Sequence, residues 1–218
     1  MKLPIPSFFS SLPLGARLLI ALYALGFPVA KLGHYAHTFE LYDWLALAPA
    51  VVWRGEIWCL VTHAFLAGGV VDWVVSIFWL ATLVSILGRH WRARELWVYC
   101  LLTTLVSALI IVVAMPRLQM GVVGNGAMIL GLLAAWYRLY GHERLILLGF
   151  GEVSVRQAAT LVALVELLLL FFAYGPIITA AMLLGGAAGW IYLVLKGKHE
   201  LNRRSQTMNS ERIARIEL

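Results

Sequence analysis

Apolar residues in this chain come in long, nearly unbroken runs rather than in the alternating or every-third-residue patterns of soluble strands and helices. The runs cover residues 17–34, 69–88, 96–115, 121–140, 158–172 and 177–195. Each reaches or approaches the roughly 20 residues that a helix needs to cross a bilayer. The pattern predicts an all-α polytopic membrane protein with six transmembrane helices. The fifth run is the weakest, because it is short and Glu166 interrupts it. Between the first two runs, residues 35–66 form a long connection rich in Trp and Tyr, with Pro49 breaking it in two. Aromatic amphipathic segments favour the headgroup level of a membrane, so this loop is expected to fold back on the bundle as part-buried interfacial helices. Residues 1–200 are read as the membrane domain and 201–218 as a short cytoplasmic tail, with a helix predicted from Ser210 by the spacing of Ile213, Ala214 and Ile216.

Composition agrees with the pattern. Hydrophobic residues are 62% of the chain and charged residues 13%, against about 25% charged in a soluble domain. The 17 Lys and Arg sort by topology. With both termini cytoplasmic, only Lys31, Arg54 and Arg117 fall outside, a strong positive-inside bias. The net charge of +6 is thus accounted for by membrane orientation and anionic headgroups rather than nucleic acid. The N-terminal stretch has no small-residue cleavage site after a compact apolar core, so the first helix is expected to be retained. Cys59 and Cys100 form no metal or redox motif, and no cofactor or metal is expected.

Polar groups inside apolar runs are the candidates for function. Asp72 and Ser76 lie four apart and share a helix face. Asp72 is expected either to cap its helix or to join a polar network. Glu166 stands among leucines and valines and is expected to find a partner on another helix, to stay protonated, or to border a hydrated depression. His63 is expected to be a satisfied or solvent-facing imidazole. Small residues mark close helix approach: Gly124, Gly126 and Gly131 near the fourth run, and Gly185, Gly186 and Gly189 in the sixth. The fourth and sixth helices are expected to cross there.

Several blocks, in order, resemble the rhomboid intramembrane serine proteases over residues 50–196. They are Arg54-Gly55-Glu56-Ile57-Trp58 running to Leu66, Leu87-Gly88-Arg89, Gly124-Asn125-Gly126-Ala127, and Leu183-Leu184-Gly185-Gly186-Ala187-Ala188-Gly189. The resemblance implies a six-helix rhomboid fold with degenerate catalytic positions. Asn125 would stand at the serine and Leu183 at the histidine, and neither an amide nor a hydrocarbon can perform nucleophilic or base catalysis. Asp72 and Ser76 would stand at the oxyanion positions, where a carboxylate repels developing negative charge. The expectation is therefore a catalytically inactive rhomboid-like protein of a bacterial inner membrane that binds transmembrane segments of client proteins, with a scaffold or quality-control role. The alternative is an intramembrane hydrolase using Thr62, Ser76 or Asp72. The sequence leaves the oligomeric state open.

Overall fold

The computed structural model describes residues 12–35, 41–88, 91–147 and 151–216. Helix α1 (Leu14–Tyr35) is followed by three short helices, α2 (Leu41–Leu45), α3 (Pro49–Val52) and α4 (Cys59–Thr62), and a 3₁₀ turn at His63–Phe65. Then come α5 (Val70–Leu87), α6 (Ala93–Ala114), α7 (Gly126–Tyr140), a two-stranded antiparallel hairpin of β1 (Arg144–Leu147) and β2 (Gly151–Ser154), and α8 (Val155–Ile216). The architecture is all-α apart from this hairpin, which pairs Arg144 with Ser154 and Leu147 with Gly151.

Among the described residues four helices, not the expected six, are long and apolar enough to cross a membrane: Leu14–Leu32, Val70–Leu87, Ala93–Ala114 and Val155–Gly197. Two physical reasons account for the difference. The fourth apolar run yields a helix of only 15 residues, about 22 Å long, because its first residues form an extended strap. The fifth and sixth runs belong to one element, α8, interrupted at Gly175 (φ 79°, ψ 179°) just before Pro176. Leu170 and Met182 both lie against Gly126, although a straight helix would hold them about 18 Å apart. The chain therefore turns back on itself at Gly175.

Local sequence explains the element ends. Ser154 and Gln157 form a capping box at the start of α8: the Ser154 N–H donates to Gln157 Oε1 at 3.1 Å and the Gln157 N–H to Ser154 Oγ at 3.3 Å. The long loop does fold into short helices, stapled by Thr62 Oγ1 donating to Leu45 O at 2.8 Å and Trp58 Nε1 to Trp44 O at 3.1 Å. Residues 201–216 simply continue α8 rather than starting a new helix at Ser210. The side chains of that tail, the N-terminal residues 1–11, and His37, Arg89 and His90 fall outside the described residues.

The expected glycine crossing is redistributed over three helices. Gly186 meets Leu130 and the Gly131 backbone of α7, but Gly185 and Gly189 face α6. A Cβ at Gly185 would lie 2.5 Å from Thr103 O, and one at Gly189 2.6 Å from the Tyr99 hydroxyl. Gly131 also abuts Thr103, and Tyr99 OH donates to Gly131 O at 2.6 Å. Thr103 is thus the point where α6, α7 and the second limb of α8 converge.

Candidate functional site

The extended strap ahead of α7 is fixed at three successive residues. Val122 exchanges backbone hydrogen bonds with Leu47, both at 2.9 Å; Val123 O accepts from Tyr174 OH at 2.7 Å; the Gly124 N–H donates to His63 O at 3.0 Å. Gly124 has φ 113°, a conformation costly for any residue with a Cβ. These ties set the place of Asn125, which precedes the first residue of α7 and is only 3% exposed. Its side-chain Nδ2 has no hydrogen-bond partner among the described residues. An unpaired buried amide donor costs roughly 1–3 kcal/mol, so a group able to accept from it would recover that energy.

Asn125 borders a recess of about 540 Å³ that also receives Asp72 and Ser76 from α5, Glu166 and Tyr174 from α8, and Tyr42 from α2. Asp72 sits in the first turn of α5, where it makes no cap bond to a helical N–H but ties the residue ahead of the N-cap Gly69 and joins Ser76. Its Oδ2 accepts the Gly68 N–H at 2.8 Å, and its Oδ1 accepts from Ser76 Oγ at 3.3 Å. Ser76 is buried, while Asp72 stands at the mouth. Glu166 lines the recess without a hydrogen bond to any described residue. No Lys, Arg or His lines the recess among the described residues. The nearby Lys31 is instead engaged over the Tyr42 ring, 4.6 Å from its centroid, and over Phe27 at 5.9 Å.

His63 is fully enclosed under the strap, its Nδ1 2.9 Å from Cys59 O, to which it donates. Burial lowers its pKa from 6.5 to about 4, the bond to Cys59 opposing only in part, so the imidazole is neutral at neutral pH. The imidazole braces the loop, while the His63 backbone carbonyl ties the loop to the strap through Gly124. Thr62 is spent on loop carbonyls and does not line the recess.

Leu183 is not placed with Asn125. It is 47% exposed and borders a separate apolar groove between α7 and the two limbs of α8. Gly126, next to Asn125, meets Leu170 and Met182 instead. The two positions expected to form a degenerate dyad are thus on different surfaces. Glu166 was visible in the sequence as a lone acid in an apolar run. Its meeting with Asp72 was not, because residue spacing does not show that α5 and the first limb of α8 border one recess.

A family model described as "eukaryotic integral membrane protein (DUF1751)" matches residues 14–206, nearly the whole described chain. The chain belongs to this family. The match to DUF1751 overturns the rhomboid assignment, and with it the inactive-protease scaffold reading, the intramembrane proteolysis that went with it, and the bacterial inner-membrane placement. Two of the blocks that suggested rhomboids, around Asn125 and residues 183–189, are short and glycine-rich, and close helix crossings of any origin produce such blocks. No curated protein matches the chain. The long apolar helices make the DUF1751 protein membrane-embedded and lipid-contacting.

Proposed function

We propose that this DUF1751 protein is a binding protein, not an enzyme, and that its recess holds an organic ammonium group presented from within or beside the membrane. The observation that carries this reading is the pairing of Asp72 and Glu166 around one cavity with no lining cation among the described residues. Two carboxylates lining one partly apolar recess favour a cationic occupant over a neutral or anionic one. Asn125 Nδ2 and the Tyr174 ring add a donor and an aromatic face, which suit an ammonium bearing a nearby hydroxyl, ester or carbonyl oxygen. A metal ion is less well served: Ca²⁺ takes about six to eight oxygens, and among the described residues no three His, Cys, Asp or Glu side chains come together. Amphiphilic amines are the simplest carriers of such a group.

The test is a calorimetric titration of the detergent-solubilised full chain with dodecylammonium, using dodecanol as the neutral control. Saturable binding of the amine alone is expected, with at least a tenfold loss in the Asp72→Asn, Glu166→Gln double variant. Equal binding of both amphiphiles, or an unaltered affinity in that variant, would sink the reading.

A further inference from the structure

The groove that contains Leu183 is a second feature, independent of the recess. It encloses about 320 Å³ between α7 and the two limbs of α8, and its lining is almost wholly apolar. Small residues, among them Ala134, Ala163, Gly186 and Ala187, open it. From Leu167 to Thr160 it follows the first limb for about 10 Å, a length that suits a stretch of acyl chain.

One end of the groove is chemically different. Tyr137 and Trp190 close it with their rings 5.9 Å apart. The Arg138 guanidinium lies 5.3 Å over the Trp190 ring, and that of Arg156 5.7 Å over the Tyr137 ring. Arg156 Nη2 is also 3.2 Å from His142 Nε2. Neither guanidinium has a carboxylate partner among the described residues, where the ion pairs are Arg144 with Glu152 and Lys196 with Glu95. Two arginines held on aromatic rings at the mouth of an apolar slot provide planar, multi-donor sites for an anionic oxygen cluster. Lipid-exposed basic pockets of this kind recognise anionic headgroups.

We propose that this groove binds one anionic phospholipid, with an acyl chain between α7 and α8 and the phosphate at Arg138 and Arg156. Charge at the mouth selects the lipid class, and the slot excludes ligands without a chain.

The experiment is native mass spectrometry of the full chain released from micelles doped with equal phosphatidylglycerol and phosphatidylcholine. One retained phosphatidylglycerol per protein is expected, preferred at least tenfold. In the Arg138→Gln, Arg156→Gln double variant the preference should vanish while phosphatidylcholine retention is unchanged. Ala187→Trp, which fills the slot, should reduce retention of both lipids. On wild-type protein, added salt should weaken the preference, and inorganic phosphate should compete poorly because it lacks a chain. Equal retention of the two lipids by wild-type protein would overturn the proposal, as would a preference that survives in the double variant. So would efficient competition by phosphate alone, or loss of lipid accompanied by dimer formation through this face.

Discussion

Asn125 shows how a backbone position and a side chain can have separate duties. Its carbonyl accepts the Ile129 N–H at 2.9 Å and so starts α7, while its amide Nδ2 is left buried and unpaired. Replacing it by alanine removes an unsatisfied donor without removing a side-chain bond to that nitrogen. Asn125→Ala is therefore expected to leave stability within about 1 kcal/mol of wild type or to raise it, while weakening amine binding; a large loss in chemical denaturation would show that the amide is structurally engaged. His63 behaves in the opposite way. Its folded pKa, about 4, lies below the ordinary 6.5. Above roughly pH 6.5 both folded and unfolded forms are neutral, and there is no penalty. Below it the unfolded chain takes up a proton that the folded one refuses, so stability falls by about 1.4 kcal/mol per pH unit down to the folded pKa. Denaturant midpoints measured across that window should show the slope in wild type and lose it in His63→Gln. The sequence marked His63 as a satisfied or exposed group and could go no further, because its enclosure depends on a strap some sixty residues away in the chain.

At the scale of elements, glycines decide where helices meet. Thr103 O and Ser107 lie so close to Gly185 that an added side chain cannot be accommodated without moving α6 or α8. Gly185→Val is expected to destabilise by about 1–3 kcal/mol, read as a lowered unfolding midpoint in detergent, whereas substitution at exposed Leu184 on the same turn should have little effect. That these glycines pack closely was legible in their spacing. Which helix they pack against was not, since spacing fixes a face but not a neighbour. The count of crossing helices failed for related reasons. Apolar length cannot reveal that residues ahead of Gly126 are extended, tied to Leu47, Tyr174 and His63, nor that the last two runs are joined directly at Gly175 with no loop between them.

On the scale of the molecule, the two ends carry opposite chemistry. Arg92, Arg138, Arg156 and Lys196 cluster where α6 and α8 begin and α7 ends, and the acidic recess lies at the other end, where α5 and α7 begin and α8 turns. The charge asymmetry was readable directly from the sequence, and membrane integration with it. The recess was only half readable: Asp72, Ser76 and Asn125 were singled out together, but through a resemblance to a serine hydrolase that also enlisted Leu183. Geometry keeps the first three and adds Glu166, which changes the chemistry from a lost nucleophile to a cation-selective cavity. The most direct measurement is photolabelling of the full chain in bilayer nanodiscs with a long-chain amine carrying a diazirine beside the nitrogen, mapped by peptide sequencing. The account predicts labels concentrated on recess residues such as Asp72, Glu166 and Tyr174, and displaced by excess unlabelled amine. Labels confined to outward-facing residues such as Leu161 and Phe172, unaffected by competitor, would contradict it.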